Sequence, residues 1–129
     1  MRYLDSSVVL SEILAEGKRP PGEFWTESLV SSRLLTVEVW TRLQAYCAWE
    51  SHAELARKVL GGIEIVEMEF AVLLRAHEPF PRPLRALDAI HLSTADFLRD
   101  HGQVVEIATY DARMRETALV MGFPLCALN

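Results

Sequence analysis

The sequence predicts an α/β domain built on a mainly parallel sheet, and three observations carry that prediction. Short apolar runs alternate with longer segments of helical period. The 129 residues suit one domain spanning 1–129, since chains of this size bury roughly two-thirds of their unfolded surface. Hydrophobic residues make up 50% and charged residues 24%, which excludes disordered and collagen-like classes.

Residues 1–4 read as the first strand, and 7–16 as a helix that aligns Val8, Val9, Ile13 and Leu14. GKRPPG at 17–22 is a break, after which a short helix over 24–27 leads to a second strand at 29–31. Apolar positions 35, 39, 43 and 46 mark one long amphipathic helix over 34–49. A more polar helix over 51–60 opens with Ser51 and Glu54 in capping-box spacing and ends at Gly61-Gly62. The third strand is 63–66 and the next helix 70–76. EPFPRP at 78–83 is irregular, because three prolines remove donors and fix φ. A long helix over 84–99, a fourth strand at 104–108, a last helix over 111–121 closed by Gly122 and a short fifth strand at 125–127 complete the series.

Thirteen Lys and Arg stand against 18 Asp and Glu, giving a net charge near −5. That balance argues against gripping nucleic acid through overall positive charge, though not against a local basic groove. The bases are 11 Arg with only Lys18 and Lys58, which removes most candidates for catalytic lysine chemistry. Cys47 and Cys126 lie far apart in apolar sequence with no metal spacing, and read as buried free thiols of a reducing cytosol. No basic stretch followed by an apolar one suggests a signal peptide, and no apolar run approaches the roughly 20 residues that span a bilayer. A soluble, cytoplasmic protein with no membrane association is the expectation.

The acids are unevenly typed, with 13 Glu but only five Asp, at positions 5, 88, 96, 100 and 111. Asp5 ends the first strand and Asp111 follows the fourth, and ligands of open parallel sheets bind beyond the carboxyl ends of strands where strand order reverses. Either residue also suits a helix N-cap. Glu38 shares a helical stripe with Leu35, Ala45 and Trp49, and Asp88 shares one with Leu84, Leu92 and Ala95. A carboxylate on an apolar face needs a cation to offset desolvation. Arg42, four residues on, is a candidate for Glu38, and Arg85 precedes Asp88 by three. A hard divalent ion such as Mg²⁺ or Mn²⁺ would compensate both acids at once.

YLDSS, SSRLLTVEVWTRL, LRALDAIHLSTA and TYDARMRETALVMGF match in order and spacing the four acidic signatures of PIN-domain nucleases. More narrowly, the chain resembles the VapC-type toxins of prokaryotic toxin–antitoxin pairs, over nearly its whole length. The resemblance implies a Rossmann-like domain with five mainly parallel strands in the order 3-2-1-4-5, flanked by helices. It implies an acidic quartet of Asp5, Glu38, Asp88 and Asp111 as catalytic and metal-holding residues, with Ser6 and Thr109 as supporting hydroxyls. Some relatives carry a further acid two residues beyond the last, where this chain has Arg113. The implied activity is Mg²⁺- or Mn²⁺-dependent cleavage of RNA to 5′-phosphate and 3′-hydroxyl ends. Its implied partners are a VapB-type antitoxin and a second copy in a homodimer.

Candidate RNA phosphate contacts are Arg82, Arg85, Arg113 and Arg115, which flank the acids. Phe24, Trp25, Trp40, Tyr46 and Trp49 exceed what a small core needs and suggest a dimer face or a groove for a partner helix. His91 lies about 60° from Asp88 around the wheel and reads as a packed or interface residue. His101 suits a helix end and His77 an exposed loop, while Asp96 and Asp100 read as solvated. A phosphoacceptor receiver domain or a haloacid-dehalogenase-type phosphatase also places Asp at strand ends, but both need a later lysine and none follows Lys58. The open alternative is a non-catalytic module of the same fold that binds RNA or protein.

Overall fold

A computed structural model describes residues 1–128. Four strands, β1 (Arg2–Leu4), β2 (Leu29–Ser32), β3 (Glu64–Val66) and β4 (Glu106–Ala108), form one parallel sheet in the order β3-β2-β1-β4. Six helices surround it: α1 (Ser6–Ile13), α2 (Leu34–Ala45), α3 (Trp49–Gly61), α4 (Phe70–Ala76), α5 (Ala86–Asp100) and α6 (Ala112–Val120). A 3₁₀ turn, Gly22–Thr26, leads into β2.

Alternation along the strands divides the core into two layers. Leu4, Leu29 and Ala108 point to one face and pack with Val9 and Ile13 of α1, Leu35, Val39 and Leu43 of α2, and Ala56 of α3. Tyr3, Val30 and Ile107 point to the other and pack with Leu92 and Ala95 of α5 and Met114 and Ala118 of α6. The result is a helix–sheet–helix sandwich. Among the described residues no helix is long and apolar enough to cross a membrane.

The fifth strand expected at 125–127 shrinks to a single parallel bridge between Ile107 and Leu125. The Ile107 amide donates to the Pro124 carbonyl and the Cys126 amide to the Ile107 carbonyl, but Pro124 has no amide with which to extend the ladder. The expected long helix over 34–49 is two elements. α2 stops at Ala45, and Cys47 adopts a left-handed φ of 53°. Its amide bonds the Gln44 carbonyl while the Ala48 amide bonds that of Leu43, the paired bonds of a Schellman ending. Cys47 is therefore exposed rather than buried; Cys126 is buried.

The chain then re-enters a helix at Trp49, so Ser51 lies inside α3 and donates to the Ala48 carbonyl instead of capping it. Trp40 and Trp49 stack with centroids 5.7 Å apart, and Arg57 lies over both rings, fastening α3 to α2. Of the surplus aromatics Phe24 is core, whereas Tyr46 and Trp49 are exposed. Asp96 is not solvated. Its carboxylate joins Arg75 of α4 at 3.1 Å and Arg99 at 2.9 Å, and Arg99 continues to the Met121 carbonyl and the Phe123 ring. This clasp ties α4, α5 and the end of α6 together.

Candidate active site

The chain leaves β1 into α1 on one face of the sheet and leaves β4 into α6 on the other. Those connections part at the carboxyl edge and open a crevice between neighbouring strands, the place where such sheets hold ligands. A cleft of about 770 Å³ lies there, and Asp5, Glu38, Asp88 and Asp111 all line it.

Asp5 and Asp111 reach the cleft as N-caps. The Ser7 amide donates to Asp5 Oδ1 at 3.1 Å, and the Met114 amide to Asp111 Oδ1 at 2.7 Å. The pairing of Leu4 with Ala108 brings the residues just beyond them together. Thr109 Oγ1 donates to Asp5 Oδ2 at 2.6 Å, and the Asp111 amide donates to Thr109 Oγ1 at 3.0 Å. Ser7 Oγ donates to Asp5 Oδ1 and accepts from the Tyr110 amide at 2.9 Å. Asp5 is thus held by three protein donors and is 4% exposed.

Glu38 enters from α2. Its Oε2 accepts from Ser6 Oγ at 3.3 Å and its Oε1 lies 2.5 Å from His91 Nε2, so its partner is His91 rather than Arg42. His91 is 1% exposed, and its Nδ1 lies 2.7 Å from the Tyr3 hydroxyl. Asp88 stands in the first turn of α5, half-buried.

The sequence does not place Ser7, His91 or Lys18 at the site, and it offers Arg42 only as an ion-pair partner of Glu38. Lys18, Arg42 and Arg85 line the same cleft and give it a basic rim. Of the four arginines expected near RNA only Arg85 is among its lining residues; Arg82 and Arg113 are exposed elsewhere, and Arg115 reaches toward the Thr109 carbonyl. For His91 the signal was its spacing of three from Asp88. That spacing places it on the inner side of the same turn, where its two ring nitrogens can face two different elements.

Burial raises the Asp5 carboxyl above its ordinary range, with Glu38 adding to the rise, while the His91 charge and the Ser7 and Thr109 hydroxyls oppose it. Asp88 is also raised, by desolvation first and then by the charges of Asp111 and Asp5. Five carboxylates line the cleft against three cations, Lys18, Arg42 and Arg85. Among the described residues no three His, Cys, Asp or Glu close into a ready-made metal cluster. All four donors are hard carboxylate oxygens, and a small divalent ion that keeps several of its waters needs only one or two of them directly. The donor chemistry of these residues suits such an ion.

The PIN domain profile matches residues 2–120. Ribonuclease VapC46 of Mycobacterium tuberculosis is 33% identical over 129 residues, covering 97% of this chain and 95% of the relative. Ribonuclease VapC47 of the same species is 28% identical over 130 residues, covering 95% and 93%. The crystal structure of M. tuberculosis VapC20, described as a sarcin-ricin loop cleaving toxin, superposes with a TM-score of 0.68 at 16% identity, over 95% of this chain and 96% of that one. A toxin–antitoxin complex from Klebsiella pneumoniae contains a chain with a TM-score of 0.64 at 20% identity, over 88% of each chain.

Proposed function

This chain belongs to the PIN domain family, and from that premise we propose that it is a metal-dependent endoribonuclease, the toxin of a toxin–antitoxin pair. The observation that carries the reading is the convergence of Asp5, Glu38, Asp88 and Asp111 on one cleft at the switch point of the sheet. Relatives over nearly the full length of this chain are named ribonucleases, which supports it further.

In this reading Asp5, Asp88 and Asp111 hold Mg²⁺ or Mn²⁺ directly or through water, and Glu38 serves as an outer ligand or orients the attacking water. When bound, the ion lowers the pKa of a water and offsets charge on the phosphate and leaving oxygen. Asp5 is the fixed point of the set, because one of its oxygens is anchored to the first turn of α1 and the other to the residue that follows β4. Asp111 spends one oxygen on its cap and lines the cleft as well. Lys18, Arg42 and Arg85 hold the phosphates on either side of the scissile one, which a local rim can do on a chain of net charge −5. Water is the nucleophile, so the products carry 5′-phosphate and 3′-hydroxyl ends and the 2′-hydroxyl is not consumed. The partners are RNA, a VapB-type antitoxin whose basic side chain covers the acidic cleft, and a second copy in a cytoplasmic homodimer.

The test incubates antitoxin-free protein with total RNA and Mg²⁺ or Mn²⁺, beside Asp5→Asn and Asp88→Asn. Metal-dependent cleavage that both variants lose by at least two orders of magnitude is the expected outcome. Cleavage in chelator, or equal cleavage by the variants, overturns the mechanism. RNA retention without cleavage under either ion points instead to a binding module.

A further inference from the structure

The hydrogen-bonded path behind the cleft runs from Tyr3 through His91 to Glu38 and Ser6, across β1, α5, α2 and α1. Three of these elements also supply an acid: β1 leads into Asp5, α5 carries Asp88 and α2 carries Glu38. His91 itself does not line the cleft and is fully enclosed. Its Nε2 faces an acceptor-only carboxylate oxygen and therefore bears the hydrogen, whichever way the proton between Nδ1 and the Tyr3 hydroxyl lies. The Tyr3 ring meets the imidazole edge-on, at 5.8 Å and 73°, and leaves it little freedom to turn.

We infer that His91, locked by Tyr3, is a positioning residue that fixes the Glu38 carboxylate toward the metal-binding cleft. A glutamate has three rotatable bonds, and without a partner its carboxylate would swing among rotamers along the cleft wall. The bond from a buried imidazole selects one of them and leaves Oε2, beside Ser6, on the cleft side. The same device orients ligating carboxylates in metal sites, where loss of the outer partner typically weakens metal affinity or activity 10- to 100-fold. The inference rests on the reading of the four acids as a metal site.

The test compares His91→Gln, His91→Asn and Tyr3→Phe with Asp88→Asn in the full chain. It measures Mn²⁺ affinity without RNA by electron paramagnetic resonance, and the Mn²⁺ dependence of RNA cleavage. Gln keeps a donor near the position of Nε2, whereas Asn keeps a polar group only near Nδ1. His91→Asn is expected to weaken Mn²⁺ binding about tenfold and to regain much of its rate at raised Mn²⁺. Tyr3→Phe shifts binding in the same direction by a smaller factor, and His91→Gln stays within about threefold of wild type. A destabilised fold would lower the active fraction without this pattern of metal rescue, and circular dichroism melts report it separately. If His91→Asn and Tyr3→Phe both bind Mn²⁺ like wild type while Asp88→Asn does not, the positioning role is overturned and the metal site stands. If Asp88→Asn also binds like wild type, the metal site falls and the positioning role with it.

Discussion

Asp111 does two jobs with one side chain: it caps α6 through the Met114 amide and presents a charge to the cleft. The two are separable. Asparagine caps nearly as well as aspartate, so Asp111→Asn should keep its unfolding free energy within a few tenths of a kcal/mol, whereas Asp111→Ala should lose about 1 kcal/mol. RNA cleavage should collapse in both, and urea titrations run beside a cleavage assay resolve the difference. Asp5 and Asp88 make a second prediction through pH. Both carboxyls have folded values raised above the unfolded ones, so over that window the folded protein holds protons that the unfolded chain has released. Their contribution to stability is greatest below the ordinary carboxylate range and falls as pH climbs through the raised values. Melting of metal-free protein against pH should show this decline, and Asp88→Asn should flatten it. Added Mg²⁺ should bind the ionised form, so its stabilisation should grow across the same window; stabilisation that is equal at pH 4 and pH 8 would contradict it.

At the scale of elements, the sequence was legible where its punctuation was conventional. The cores of the first four strands, α4 and the proline-rich loop fell where apolar runs and Pro said they would, whereas the fifth strand did not form beyond one bridge. The break after α2 was not legible, because its left-handed residue is Cys47 where a glycine would have announced it. α1 hides its end in the same way, with Ala15 at φ 50°. The site divides along similar lines. The four acids were readable as strand-end and apolar-stripe anomalies, whereas Ser7, His91 and the rim cations depend on elements meeting in space, which no local window records. Because Cys47 holds a backbone conformation that costs an L-residue and is exposed, Cys47→Gly should raise stability by about 0.5–1 kcal/mol. The melting temperature checks it, and a lower value would mean the thiol makes a contact that outweighs the strain.

For the molecule as a whole, net charge is a poor guide to partner, since Lys18, Arg42 and Arg85 line the same cleft as the four acids of a chain whose net charge is −5. If Lys18, Arg42 and Arg85 each meet a phosphate, the logarithm of RNA affinity against the logarithm of salt should slope near −2, at about −0.7 per contact on a single strand. Arg85→Ala should reduce that slope by roughly 0.7, read by fluorescence anisotropy in the inactive Asp88→Asn background; an unchanged slope removes Arg85 from the interface. The sheet order has a consequence in time as well as in space. The first strand finds its outer neighbour only at residues 106–108, and Asp5 takes one of its hydrogen bonds from a residue 104 positions later. During synthesis, Asp5, Glu38 and Asp88 emerge while half of the crevice that unites them is still unmade. A nascent or truncated chain lacking β4 carries three of the four acids and no switch point, so the topology itself withholds the assembled cleft until β4 has been made.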